Sequence, residues 1–220
     1  TAGFDEKGRL VHFENNRAGH GNVIEYPAAG IFKMVLKRGS NWENVAYPAD
    51  QTYEVAKKGE EVTITVRGLA VRDGHLDVTV TMRAWLEDEK LCFAADIDNR
   101  SDATVVDFMF PRIGVMKTLS GGKPDLLWPC CSGERITDIG GKLAQMDSPY
   151  EEYNMLSMSY PSRASMQWMA LIDGDQSLYF GSHDDEFYAT ALRVMGRQED
   201  SGSIVMDIVK YPFVKPGERW

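Results

Sequence analysis

Strict alternation of apolar and polar side chains runs through much of the chain and predicts β-strands. Over residues 61–67, Val62, Ile64 and Val66 alternate with polar neighbours. A side-chain period of two places these three apolar residues on one face of a strand and their polar neighbours on the other. The sequence therefore predicts a half-buried strand in this segment.

Two hairpins are predicted where two such runs flank a turn. The first joins residues 76–84 to residues 91–97 through an acidic turn. The second joins residues 167–172 to residues 177–181 through Asp173-Gly174-Asp175. Further strand candidates, most of them bounded by Gly, Pro, Asn or Asp, cover residues 3–14, 31–37, 106–110, 187–194 and 203–210.

The pattern as a whole predicts an all-β protein with two large antiparallel sheets packed face to face. Roughly a dozen half-apolar strands without β–α–β alternation are best buried in that way. One segment, residues 114–163, has weak periodicity. Because loops longer than about 15 residues are uncommon in compact domains, we interpret this segment as a long irregular loop insertion with a functional or interfacial role.

The loop insertion combines aromatic rings with charged side chains, which is a composition that suits a sugar. Aromatic faces stack on the C–H face of a sugar ring while its hydroxyls bind charged partners. The same aromatic residues could instead form a small core within the loop. The candidate carbohydrate-binding residues are Trp128, Glu134, Arg135, Tyr160 and Arg163, and Asp138, Tyr150, Glu151, Glu152 and Tyr153 accompany them.

Composition narrows the range of partners. The 220 residues include 24 Lys and Arg against 33 Asp and Glu, which gives a formal charge of −9. A surface of that sign repels phosphate backbones and anionic lipid, so we predict neither nucleic acid nor a membrane as a partner. No apolar run approaches the ~20 residues that a membrane-spanning helix needs.

The three cysteines, Cys92, Cys130 and Cys131, do not indicate a disulfide framework, because an odd number cannot all pair within one chain. The adjacent pair lacks the spacing of a zinc knuckle, and we interpret all three as buried or idle thiols. Asp173-Gly174-Asp175 is too short for a calcium-binding EF-hand loop. No phosphate-binding loop or dinucleotide fingerprint is present, and we predict no metal and no cofactor.

Several motifs together resemble galactose-mutarotase-like β-supersandwich domains. Residues 3–15 are similar to the opening strands of these domains, and residues 91–114, with an Asn-Arg-Ser-Asp turn and a Phe-Pro-Arg-Ile-Gly end, resemble a segment that they share. Residues 160–169, 178–184 and 211–218 resemble the N-terminal domain of large bacterial proteins. In those proteins such a supersandwich precedes a glycoside-hydrolase-type (β/α)8 barrel.

The resemblance implies one supersandwich domain over residues 1–220 that acts as a non-catalytic accessory domain of a glycoside hydrolase. The carboxylates that cleave the sugar would lie on a downstream barrel of the same polypeptide, and the loop with Arg163 would contact that barrel or the carbohydrate. A start at Thr1 and a stop at Trp220 after a Pro/Gly turn suggest a piece of a longer chain. Carbohydrate processing implies a secreted or periplasmic location.

A free-standing aldose 1-epimerase is an alternative. Ring opening needs a base and an acid, typically a Glu and a His in the mutarotase family. His183 is the only histidine on a segment that carries a motif, but no Glu pairs with it in the family pattern. We therefore predict no catalytic residue in this chain, and we favour a structural role for His183, as a hydrogen-bond partner at a strand end, over a catalytic one.

A carbohydrate-binding module is a second alternative. Trp42, Trp85 and Trp168 could form a binding surface, although a tryptophan in a strand is commonly part of the core. His183 and Asp184 complete the candidate binding residues. The acidic run over residues 184–186 also fits a solvated turn, because adjacent strand residues point to opposite faces.

Overall fold

Antiparallel strands form nearly all of the regular structure in the computed structural model, which describes residues 1–17, 19–45, 50–72, 74–146, 153–184 and 188–220. Within these residues the elements are β1 (Ala2–Phe4), β2 (Leu10–Phe13), β3 (Lys33–Arg38), β4 (Asn41–Val45), β5 (Tyr53–Lys58), β6 (Glu61–Val71), β7 (Gly74–Glu87), β8 (Lys90–Asn99), β9 (Thr104–Met116), β10 (Asp125–Trp128), β11 (Glu134–Ile136), α1 (Ile139–Ala144), β12 (Tyr153–Tyr160), β13 (Trp168–Asp173), β14 (Gln176–Gly181), β15 (Thr190–Arg197) and β16 (Ile204–Lys210).

The strands form one six-stranded sheet, two four-stranded sheets and a two-stranded ribbon. The six-stranded sheet has the order β12-β15-β16-β9-β3-β4. One four-stranded sheet has the order β5-β6-β7-β8, the other has the order β11-β10-β13-β14, and the ribbon is β1-β2. Each pairing between described strands is antiparallel, so the prediction of an all-β antiparallel fold is confirmed.

The two four-stranded sheets pack side by side against one face of the six-stranded sheet. At one end of that face, Leu192 and Met206 belong to a buried cluster with residues of β10 and β13. At the other end, Met34 and Phe108 belong to a second buried cluster with residues of β6 and β7. The result is a two-layer sandwich, in which two four-stranded sheets form the layer where the alternating pattern predicted one large sheet.

Both predicted hairpins are present. β7 and β8 pair over ten residue pairs, including Val80 with Ile97. β13 and β14 pair over six residue pairs, including Ala170 with Tyr179. The strand expected over residues 3–14 is divided instead into β1 and β2, because the turn between them contains Gly8 in the left-handed region.

Residues 114–163 differ from the predicted irregular loop. The end of β9, together with β10, β11, α1 and β12, occupies about half of the segment. Strands of three or four residues are too short to show a period of two in the sequence, and α1 has only six residues. Tyr150, Glu151 and Glu152 lie outside the described residues.

The segment after β16 closes the edge of β8. Ile97 and Trp220 exchange two backbone hydrogen bonds of 2.7 and 3.0 Å. The buried amide of Asn99 donates to the carbonyl groups of Ala103 and Val214 at 2.7 and 2.9 Å. The asparagine of the predicted turn therefore also ties this final segment to the sheet.

In the part of the chain that the structure describes, no helix has the length and apolar character needed to cross a bilayer.

Candidate functional site

The outer face of the β11-β10-β13-β14 sheet carries a row of four residues, one from each strand. Arg135 lies opposite Leu127, Leu127 opposite Ala170, and Ala170 opposite Tyr179. Leu126 belongs to the core cluster, so its neighbour Leu127 points outward. With neighbouring strands about 4.8 Å apart, the row extends about 14 Å across the sheet.

Three rings lie together at the β14 end of this row, and we call Trp168, Tyr179 and His183 the aromatic platform. The rings of Trp168 and Tyr179 are 5.7 Å apart with an interplanar angle of 32°. Those of Tyr179 and His183 are 5.8 Å apart with an angle of 31°. Tyr179 is 51% exposed, so solvent reaches the middle of the platform.

Close contacts fix the rings of the platform in place. The hydroxyl of Tyr179 is 3.0 Å from Nε2 of His183. Nε1 of Trp168 donates to Sδ of Met166 at 3.1 Å. A Cβ atom added to Gly181 would lie 2.6 Å from Oη of Tyr179 and 2.8 Å from Cβ of Trp168. The Tyr179 ring therefore occupies space that only glycine leaves open at position 181.

A polar cluster supports the loop that carries His183. Nζ of Lys210 contacts the Asp184 carboxylate and donates to Oγ1 of Thr190 at 2.7 Å. Oγ of Ser182 donates to the same carboxylate at 2.8 Å. Burial lowers the pKa of Lys210, and the hydrogen bond and charge of Asp184 act in the opposite direction. The end of β16 thereby holds the loop beside the platform.

Arg135 lies at the far end of the same row. Its guanidinium pairs with the Asp125 carboxylate at 2.6 Å and remains mostly exposed. The hydrogen bond from Arg135 lowers the pKa of Asp125. Three predicted binding residues, Arg135, His183 and Asp184, therefore lie on or beside the outer face of one sheet.

The structure corrects the predicted role of Trp128 as a ring that stacks on a ligand. Trp128 is 5% exposed and belongs to the core cluster that also holds Leu126. The period of two along β10 turns both side chains inward. Tyr160, the last residue of β12, is half-buried against the same cluster. Both rings therefore pack within the fold.

Glu134 and Arg163 border the turn that holds Cys130 and Cys131 and are not part of the aromatic platform. Glu134 pairs with Trp128 across the β10-β11 ladder and is exposed. The carbonyl group of Arg163 accepts a hydrogen bond from the amide of Cys131 at 2.8 Å. These two predicted residues therefore border a different feature of the surface.

Sequence reasoning missed Tyr179, Ser182, Thr190 and Lys210. Tyr179 alternates with core residues of β14 as any outward strand residue does, so nothing in its local pattern distinguishes it. Of the three tryptophans considered together, Trp168 is in the platform and Trp85 lies on β7 with Nε1 3.2 Å from Glu87. The side chains of Trp42 and Tyr153, and residues Asp185 and Glu186, lie outside what the structure describes.

The opposite face of the six-stranded sheet holds a second charged group, which we call the buried ion triad: Arg112, Arg193 and Asp207. Asp207 is fully buried and accepts hydrogen bonds from Nε of Arg193 at 2.6 Å and Nε of Arg112 at 3.1 Å. Burial raises the pKa of neighbouring Asp107, and the charge of Arg193 opposes that shift. Because both arginines are almost fully buried as well, the triad offers little surface to a ligand.

Two further observations concern a His–Glu pair and possible metal ligands. His12 of β2 and Glu14, the residue that follows this strand, lie in direct contact at 3.2 Å, which leaves no space for a sugar hydroxyl between their polar atoms. Among the described residues, no three His, Cys, Asp or Glu side chains are grouped as metal ligands would be.

No family model matches this chain, and no curated protein matches it. A galactose mutarotase-like protein from Lactobacillus casei ATCC 334 has a similar solved structure, with a TM-score of 0.53 and 13% sequence identity. The match covers 100% of this chain and 93% of that chain. The similarity shows a galactose mutarotase-like fold and confirms this part of the resemblance seen in the motifs.

Proposed function

We propose that this chain is a non-catalytic carbohydrate-binding domain that holds a neutral sugar on the aromatic platform. The observation that carries the proposal is the exposed Tyr179 ring between Trp168 and His183, with Asp184 at the next position. An exposed ring would stack on the C–H face of a sugar, and the imidazole and carboxylate would bind its hydroxyls.

The charge of the chain supports a neutral ligand. The formal charge of −9 disfavours anionic sugars that approach through solution. Burial raises the pKa of Tyr179, so its phenol stays protonated at neutral pH and keeps a hydroxyl group for hydrogen bonding. The platform therefore presents apolar faces and uncharged or acidic polar groups to the ligand.

In the wider protein, we propose that this domain is the accessory domain of a glycoside hydrolase with a downstream barrel. Catalytic carboxylates would then lie on the barrel, and the platform would hold the carbohydrate near them. The mutarotase-like fold and the motifs of residues 160–169, 178–184 and 211–218 support this proposal. A secreted or periplasmic location belongs to the same proposal.

Calorimetric titration with a panel of neutral oligosaccharides tests the binding function. We expect saturable binding of at least one sugar, and Tyr179→Ala and Trp168→Ala should each weaken it about fivefold to tenfold through loss of stacking. Trp85→Ala is the matched control, because Trp85 lies on a different sheet. Equal weakening by Trp85→Ala, or no binding across the panel, contradicts the proposal.

Two further measurements test the accessory-domain proposal and the epimerase alternative. An antibody against this domain should detect a polypeptide longer by at least the ~250 residues of a (β/α)8 barrel in the source cell. Polarimetry on freshly dissolved α-galactose and α-glucose should show no acceleration by the wild-type chain. Acceleration that His183→Ala abolishes would favour the epimerase alternative over the binding domain.

A further inference from the structure

Two adjacent thiols lie at the turn between β10 and β11. The Sγ atoms of Cys130 and Cys131 are 4.0 Å apart, and both residues are free cysteines. Cys131 is exposed and Cys130 is partly exposed. The pair lies outside the aromatic platform, and the proposed sugar binding does not use it.

Backbone hydrogen bonds hold this turn in place. The amide of Cys131 donates to the carbonyl group of Arg163 at 2.8 Å, and the amide of Gly133 donates to that of Cys130 at the same distance. The amide of Ser165 donates to the carbonyl group of Pro129, also at 2.8 Å. Cys131 has a φ of 51°, in the left-handed region that few residues other than glycine adopt. The surrounding contacts therefore fix the backbone from which both thiols project.

The separation of the two sulfur atoms fits a shared metal ion. With metal–thiolate bonds of about 2.3 Å, sulfur atoms 4.0 Å apart enclose an angle of about 120° at the metal. Such an angle is close to trigonal, and one ion fits between the thiols without a change of backbone. A dithiol with this spacing is therefore preorganised as a chelate.

The number and type of donors indicate which ion. Thiolates are soft ligands that select Cu(I) or Zn²⁺, and structural zinc sites use four protein ligands. Among the described residues, no third His, Cys, Asp or Glu joins the pair as a ligand. Cu(I) accepts three ligands in a trigonal arrangement, so two thiolates at this angle leave the third position to a neutral donor from solution.

We propose that Cys130 and Cys131 bind one Cu(I) ion as a bidentate dithiolate. Two S–H bonds break, two S–Cu bonds form, two protons pass to solvent, and copper stays in the monovalent state. The complex has a charge of −1.

Anaerobic titration of the full chain with Cu(I), in competition with a chromophoric Cu(I) chelator, tests the site. We expect one tightly bound equivalent in the wild-type protein. Cys130→Ser and Cys131→Ser should each weaken binding about 10² to 10⁴-fold, because one thiol loses the effective concentration of its neighbour. Cys92→Ser is the matched control and should bind as the wild type does, since Cys92 lies on β8.

Alkylation followed by mass spectrometry gives a second readout that uses the wild-type chain. Bound Cu(I) should protect Cys130 and Cys131 from iodoacetamide and leave the reaction of Cys92 unchanged. The proposal is overturned by a wild-type affinity in Cys131→Ser, by loss of binding in Cys92→Ser, or by an absence of protection. Circular dichroism checks the fold of each variant, and the exposed Cys131 position carries the test if Cys130→Ser does not fold.

Discussion

The ammonium group of Lys210 contacts the carboxylate of Asp184, although the Lys210 side chain is only 8% exposed. Lys210 ends the last strand of the six-stranded sheet, whereas Asp184 lies three residues beyond β14. The contact joins the central sheet to the loop that carries His183. The position of one ring of the aromatic platform therefore depends on a residue 27 positions further along the chain.

Replacement of Lys210 by Met should weaken sugar binding and lower stability. Asp184 would lose a charged partner and Thr190 a hydrogen-bond donor, at a cost of about 1–3 kcal/mol in the free energy of unfolding. Calorimetry and urea denaturation measure the two effects. Lys123→Met is the control, because the exposed pair of Lys123 and Asp138 contributes little. Wild-type affinity in Lys210→Met would show that the loop holds His183 without this contact.

Gly181→Ala should disturb the platform directly. The new methyl group would lie closer than 3 Å to Oη of Tyr179 and Cβ of Trp168, so at least one ring must move. We expect a loss of sugar affinity together with a destabilisation of about 1–3 kcal/mol from overpacking. Ser177→Ala on the same strand removes an exposed hydroxyl group without adding volume and should leave both the sugar affinity and the stability unchanged. Unchanged affinity in Gly181→Ala would argue against stacking on Tyr179.

Asp207→Asn should be among the most destabilising single substitutions in the chain. It removes the charge that compensates two buried arginines, and breaking a buried ion pair costs about 3–5 kcal/mol. Urea denaturation measures the loss. The triple variant Arg112→Met, Arg193→Met and Asp207→Leu should have a free energy of unfolding closer to that of the wild type than Asp207→Asn has. The reason is that apolar groups of similar volume can replace buried charges. If Asp207→Asn lowered the free energy of unfolding by less than about 1 kcal/mol, this account of the triad would be contradicted.

Asp173 should contribute to stability in a pH-dependent way. Burial by itself raises the pKa of Asp173, but hydrogen bonds from the hydroxyl of Thr118 and the amides of Ser120, Leu119 and Gly122 outweigh it and lower the pKa. The carboxylate is thus stabilised in the folded state. This contribution is fully present above the unfolded pKa of about 3.9 and is lost as pH falls through the lower folded pKa.

Asp173→Asn should therefore destabilise the protein at neutral pH. It should also make the free energy of unfolding fall less steeply as the pH is lowered. Urea denaturation between neutral pH and about pH 3 measures both effects across the unfolded pKa. Asp77→Asn, at an exposed position on β7, is the control and should preserve the acid dependence of the wild type. The same slope in Asp173→Asn as in the wild type would show that other carboxylates govern acid unfolding.

Local pattern identified most of the longer strands of this protein but not the short ones, and it also missed the eight residues of β12. β6, β7 and β8 have ten or more residues each, enough for a period of two to be visible. β10 and β11 have four and three residues. Their place in the sheet follows from the pairing of β10 with β13 and of β11 with β10 rather than from their own sequence. For the same reason the sequence could not show that Trp128 faces the core.

The sequence by itself determined an antiparallel all-β fold, its main hairpins, and His183 and Asp184 as candidates for binding. These features depend on neighbouring residues, whose alternation and turn chemistry are visible along the chain. Only the tertiary structure decided that Trp168 meets Tyr179, because their contact depends on the register of β13 against β14. It also decided which rings are buried and that Lys210 reaches Asp184, since both follow from how the sheets pack rather than from any local pattern.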